Sequence, residues 1–217
     1  MTNERDVRFI SMLDVDYIGF NFVKGTKRAV SETSAKKLAE IVPPYITPVA
    51  VVADPALIDV KRIAKKTGIK LFQFHGDETV DFLKEVRELG VGIIKAFRPK
   101  NADETALAEN YLGVCGYFLV DAYSKGLLGG TGKTVSLRVL KKMKSFEKPL
   151  FLSGGLNPEN VAGLALEIQP FAVDVSSGVE KTPRSKDIEK VRAFVRIMGT
   201  VLIGGDGSSR PVPNHIR

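Results

Sequence analysis

Two glycine-bearing segments in the last third of the chain carry the clearest chemical signal. SGGL at 153–156 is followed at once by NPEN at 157–160, and SSGVE occupies 176–180. Glycine lets a backbone N–H approach an oxyanion closely, and a helix opening directly behind it adds positive potential. On neighbouring strands, Gly154, Gly155, Ser176, Ser177 and Gly178 therefore read as a phosphate cradle, although each segment taken singly is more often a turn. Asp121 ends the apolar run YFLVD, a setting that raises a carboxyl pKa and suits a general acid; the plainer reading is an Asp that starts a turn. Arg28, beside Lys27, offers a planar donor fork for a carboxylate, though on residue type alone a solvated surface pair is commoner. His75 in QFHGDE stands where a strand end can face a site, and a lone His is more often structural. GLLGGTGKT at 126–134 ends like a phosphate loop, but Leu127 stands where G-x-x-x-x-G-K-[ST] needs its first glycine. The segment, with Gly130 at its centre, reads instead as a mobile active-site lid or a merely flexible loop.

Positioning these groups requires strands that end together. Apolar or β-branched runs recur at 17–22, 46–54, 70–76, 91–97, 117–122, 149–155 and 171–177, spaced as βα units. Between them lie helical stripes: Leu38, Ile41 and Val42; Phe82, Val86 and Leu89; Val161, Leu164, Ala165 and Ile168; Val191, Phe194, Val195 and Met198. Asp54 before Pro55 and Asn157 before Pro158 read as helix starts, and Gly68 as a helix stop. Near-continuous apolar strands separated by helices imply a parallel sheet covered by helices, doubly wound or closed into a barrel. The polar and glycine residues collect at successive strand C-termini, which is the functional face of a barrel, and no G-x-G-x-x-G follows the first strand. The expected organisation is one barrel domain over 1–198, a possible replacement strand within 199–206 (TVLIGG at 200–205), and a flexible tail over 207–217.

The 217 residues are 44% hydrophobic and 26% charged, which excludes wholesale disorder. Lys+Arg 32 against Asp+Glu 25 gives +7, suited to an anionic substrate, to nucleic acid, or to nothing beyond a soluble surface. The aromatics lie in core strands and are not interleaved with a basic patch, which disfavours nucleic acid as a partner. The single cysteine, Cys115, precedes its strand and reads as packing; it excludes an internal disulfide and a cysteine-built metal site. No apolar stretch reaches the ~18 residues of a membrane span, and MTNERDV has no signal-peptide core, so a cytoplasmic protein without membrane contact is expected.

Several segments, in order, resemble the phosphoribosylanthranilate isomerases of tryptophan biosynthesis: YIGFNF…KR at 17–28, QFHGDE at 73–78, IKAF at 94–97, FLVD at 118–121, GGTGKT at 129–134, LSGGLNPENV at 152–161 and VDVSSGVE at 173–180, followed by KD at 186–187. The resemblance implies a (β/α)8 TIM barrel and an Amadori rearrangement of a phosphorylated aminoaldose to its aminoketose, with no metal or organic cofactor. It casts Asp121 as general acid, Arg28 as the holder of the anthranilate carboxylate, and Gly154, Gly155, Ser176, Ser177 and Gly178 as the phosphate site. His75 and Gly130 are assigned to substrate binding from their places at a strand end and in the lid. The expected assembly is a monomer or homodimer. One departure stands out. Family members open with a strand K-I-C-G whose cysteine is the general base, whereas these 217 residues begin with MTNERDV, inside the loop and helix that follow. A late-assigned start, a truncated chain and a natural loss all account for this, and a phosphate-ligand-binding barrel without turnover is the alternative function. VLIGG at 201–205 resembles the missing strand, with Gly204 where the cysteine belongs.

Overall fold

The computed structural model describes residues 1–121, 137–203, 210–211 and 213–217. In chain order these form α1 (Glu4–Ile10), β1 (Tyr17–Asn21), α2 (Glu32–Glu40), β2 (Thr47–Val52), α3 (Leu57–Thr67), β3 (Leu71–Phe74), α4 (Val80–Arg87), β4 (Gly92–Phe97) and β5 (Tyr117–Asp121). There follow α5 (Leu137–Lys144), β6 (Leu150–Ser153), α6 (Val161–Ile168), β7 (Ala172–Val175), the hairpin β8 (Glu180–Thr182) and β9 (Ser185–Lys186), and α7 (Ile188–Thr200). Last come β10 (Leu202–Ile203), β11 (Arg210–Pro211) and β12 (Asn214–Ile216). A 3-10 helix, Asp103–Tyr111, stands in place of an α-helix between β4 and β5.

The helices turn their apolar stripes inward as their periodicity requires: α7 buries Val191, Phe194, Val195 and Met198, and α3 buries Val60 and Ile63 before Gly68, at φ 76, closes it. The two proline-flanked helix starts are displaced. Asp54 adopts φ 46 and accepts from the Asp77 N–H, while α3 begins after Ala56. Asn157 Oδ1 accepts from the N–H groups of Glu159 and Asn160, forming a turn ahead of α6, which begins after Asn160. A short polar side chain serves such a turn as well as it serves a helix cap, and proline follows both.

Eight parallel strands close in the order β1-β12-β7-β6-β5-β4-β3-β2. Alternation along each strand sends one set of side chains out toward the helices and the other into the barrel. Val49, Leu71, Ile94, Leu119, Phe151 and Ala172 fill the interior, while Phe20, Phe72, Phe118, Leu152 and Val173 belong to the larger core under the helices.

The ring position without an N-terminal strand is filled from the C-terminus, but not by the segment that resembles a strand at 200–205. β12 lies between β1 and β7, pairing Tyr17 with His215 and Ile216 with Val175. Residues 207–217, expected as a flexible tail, thus supply a barrel strand, and Leu202–Ile203 pairs antiparallel with Arg210–Pro211 instead. The reason is reach. Helix α7 runs to Thr200, and the Val201 N–H still bonds the carbonyls of Ile197 and Met198. Moving ~10 Å from the helical layer to the ring takes about three extended residues, which a strand starting at 200 does not have. β12 also has the right parity: Ile216 is buried outward under the helices, and His215 points inward against the rings of Tyr17 and Phe151.

Candidate active site

The inward parity of each strand, continued to its C-terminal end, brings His75, Asp121, Ser153, Asp174 and Arg217 to one mouth of the barrel. His75 Nδ1 accepts from the Gln73 amide at 2.8 Å, leaving its Nε2–H for Asp121 Oδ2 at 3.2 Å. Burial pushes the His75 imidazole below its ordinary range, so it is neutral at pH 7. Arg98 Nε lies 3.7 Å from the same Asp121 oxygen. The Asp121 carboxyl thus has an imidazole and a guanidinium among its neighbours, where its strand had suggested an apolar wall.

On the adjoining arc, the Ser153 hydroxyl donates to Asp174 Oδ2 at 2.9 Å and Arg217 Nε pairs with that oxygen at 2.9 Å. Arg217 Nη2 also donates to Ser153 Oγ at 3.3 Å. His215 Nδ1 is 3.6 Å from Asp174 Oδ1, and complete burial pushes this imidazole down to about 4. Beside this cluster lie the two glycine segments. Gly154 takes φ 92, a left-handed conformation open to glycine, and turns the chain directly after β6. At Gly178 a Cβ would collide with the Leu156 carbonyl, so these segments close on each other only because that residue has no side chain. Gly154, Gly155, Ser176 and Ser177 line a cleft of about 230 Å³ together with Asn21, Arg28 and Asp121, and Gly178 lies behind its wall.

Of the Lys27–Arg28 pair, Lys27 is exposed and Arg28 turns to the cleft. Its Nε and Nη2 donate to Glu180 Oε1 and Oε2 at 2.8 and 2.5 Å. Lys186 Nζ donates to the Ser176 carbonyl at 3.0 Å and lies 3.5 Å from Glu180 Oε1; burial pushes this amine down to about 8. Burial alone would raise the Glu180 carboxyl, but Arg28 and Lys186 outweigh it and hold it below its usual range. Cys115 is buried before β5, its thiol pushed up to about 12 by burial, in keeping with a packing residue. Gly130 and the 126–134 segment lie outside the described residues.

The reading from residue types did not single out Asp174, Glu180, Lys186, Arg98 or Arg217. Asp174 was within reach of it: a carboxylate inside FAVDVSS, two residues before Ser176, shares that serine's face of the strand. Glu180 ends SSGVE, but nothing local pairs it with Arg28, 152 positions away.

A family model described as PRAI, N-(5'phosphoribosyl)anthranilate (PRA) isomerase, matches residues 1–197. The chain belongs to the phosphoribosylanthranilate isomerase family. The N-(5'-phosphoribosyl)anthranilate isomerase of Nitrosococcus oceani is 36% identical over 202 residues, 93% of this chain and 95% of that one. Among solved structures, phosphoribosyl anthranilate isomerase from Thermotoga maritima superposes with a TM-score of 0.82 at 31% identity, covering 91% of this chain and 94% of that one. A second isomerase structure, in complex with reduced 1-(o-carboxyphenylamino)-1-deoxyribulose 5-phosphate, has a TM-score of 0.80 at 29% identity, covering 90% and 93%. The isomerase fold is therefore common to them, and in this chain β12 closes the ring between β1 and β7. Among the described residues, no helix is long and apolar enough to cross a membrane.

Proposed function

We infer that this chain isomerises N-(5-phosphoribosyl)anthranilate to 1-(2-carboxyphenylamino)-1-deoxyribulose 5-phosphate, an Amadori rearrangement in tryptophan biosynthesis. The observation that carries this is membership of the isomerase family over residues 1–197, joined to one cleft that holds an acid, a guanidinium and a glycine-lined anion cradle. In this reading the substrate phosphate lies between Gly154–Gly155 and Ser176–Gly178, where glycine lets the backbone approach its oxygens closely. Anchoring this remote group sets the ribose carbons beside Asp121. Asp121 gives a proton to the ribose ring oxygen as the C1–O bond opens to a protonated imine; removal of the C2 proton, for which a base is required, gives the enolamine, and a proton returned to C1 completes the aminoketose. Arg28 holds the anthranilate carboxylate, and His75 and Gly130 border the substrate. Cys115 is buried away from the cleft, so the thiol base of the family pattern has no counterpart among these 217 residues.

The ligand is a small phosphorylated molecule, and the +7 charge favours its approach. We place the reaction in the cytoplasm, where a single cysteine stays reduced. The test is conversion of the aminoaldose by the purified 217-residue chain, with titration of the reduced product analogue alongside. Conversion supports the reading. Binding without conversion would make the chain a ligand-binding barrel, and neither binding nor conversion would overturn the assignment.

A further inference from the structure

Glu180 has no part in the reaction described above, yet it grips the guanidinium assigned to the anthranilate carboxylate. A guanidinium has two forked edges, one formed by Nε–H and Nη2–H and one by the Nη1 and Nη2 groups. Glu180 takes the first: Arg28 Nε donates to Oε1 at 2.8 Å and Nη2 to Oε2 at 2.5 Å. The second edge has no protein partner among the described residues. Burial distinguishes front from back, since the Glu180 side chain is 6% exposed and that of Arg28 is 32%. Glu180 is itself held from behind by Lys186 Nζ, 3.5 Å from Oε1, and Lys186 is fixed through the Ser176 carbonyl and through its own N–H to Asp6 Oδ2. Arg28, Glu180 and Lys186 together carry one net positive charge, so a second carboxylate is attracted even with Glu180 in place.

We propose that Glu180 is a positioning residue, which holds Arg28 by its Nε/Nη2 edge and so presents the Nη1/Nη2 edge to the aromatic carboxylate of the substrate. The proposal rests on the reading of Arg28 given above and adds the group that makes a long, flexible side chain into a preformed receptor. Without that hold, binding must immobilise the arginine as well as the ligand.

The test is calorimetric titration of the full chain with two ligands: reduced 1-(o-carboxyphenylamino)-1-deoxyribulose 5-phosphate, and the same molecule lacking the ring carboxylate. Glu180→Gln is expected to weaken the first ligand about 3- to 10-fold, the scale of immobilising one long side chain, and to leave the second unchanged within about 2-fold. Arg28→Ala is expected to weaken the first ligand further, and Glu180→Gln added to Arg28→Ala to have no additional effect, as for residues acting through one another. Glu180→Asp keeps the charge but withdraws the carboxylate from the Nε/Nη2 edge; it is expected to show the same carboxylate-specific loss, and it carries the test if Glu180→Gln does not fold. Equal weakening of both ligands by Glu180→Gln would reduce Glu180 to a structural role. Tighter binding of the first ligand would show that Glu180 occupies the carboxylate's place, and no change would also overturn the proposal. If Arg28→Ala itself spares the first ligand, the assignment of Arg28 fails, and if the unaltered chain binds neither ligand, the proposed function fails; both bring this inference down with them.

Discussion

Asp121, with His75 Nε2 at 3.2 Å and Arg98 Nε at 3.7 Å, has partners that hold it in place whether or not substrate is present. Removing its carboxyl should therefore leave the cleft formed and abolish one proton transfer. Asp121→Ala is expected to lower kcat by roughly 10²–10⁴-fold with a smaller change in KM, while the affinity for the reduced product analogue stays nearly constant. A rate within a few-fold of the unaltered chain would assign the acid elsewhere. Gly178 makes a steric prediction at the same scale. Because its Cβ would meet the Leu156 carbonyl, Gly178→Ala must push the SGGL and SSGVE segments apart. It should weaken phosphate or product-analogue binding at least about 10-fold and cost ~1–3 kcal/mol of stability, as overpacking does. Full affinity by calorimetry would show that the two segments do not form one cradle. Residue types offered Asp121, Arg28 and the glycines as candidates, and the structure brings Asp121, Arg28, Gly154 and Gly155 to one cleft. They did not reveal that Arg28 is gripped by Glu180 or that Asp174 binds Ser153 and Arg217, because those partners meet only after the chain has closed.

Five of the helices, α2, α3, α4, α6 and α7, and the first seven strands follow from local pattern, and β12 does not. Asn214–Ile216 has three residues, lies among prolines and polar groups, and offers no periodicity long enough to read. TVLIGG looked more like a strand because it is apolar and β-branched, but α7 consumed the residues needed to reach the ring. What selects β12 is the geometry of the gap, with β1 on one side and β7 on the other, each presenting unpaired backbone groups. Ile216, fully buried under the helices, is the single side chain on which this closure is most testable. Ile216→Ala is expected to cost ~2–5 kcal/mol in urea unfolding, the range for emptying a core position. Deleting 214–217 should be worse, since it exposes both strand edges. If neither change alters the unfolding midpoint, β12 is not part of the cooperative barrel.

At the scale of the molecule, the interior of the ring imposes a pH dependence. His215 is fully buried and its imidazole is pushed from 6.5 to about 4. The folded state thus excludes a proton that the unfolded chain takes up below 6.5. Stability from this group is complete above 6.5 and is lost as the pH falls toward 4. Glu180 acts in the same direction, since its carboxyl is held below its usual range and its stabilisation also disappears in acid. Urea midpoints are therefore expected to rise from pH 5 to pH 7. His215→Phe, which keeps a ring against Tyr17 and Phe151, should flatten the curve between 4 and 6.5 by on the order of 3 kcal/mol in total. An unchanged slope in that variant would show that His215 does not titrate with folding.

Strand and helix periods, the glycine segments at the ends of β6 and β7, and the order of the motifs were all legible along the chain, because each depends on residues a few positions apart. They suffice for the barrel, for the end of it where the polar and glycine residues gather, and for a family resemblance. Two features lay beyond local reading: the strand that closes the ring, and the partner that each charged side chain finds at its mouth. Both depend on closure, which joins β1 to β12 and Arg28 to Glu180 across most of the chain. A one-dimensional pattern records which face a residue takes, and the curvature of the ring settles which faces meet.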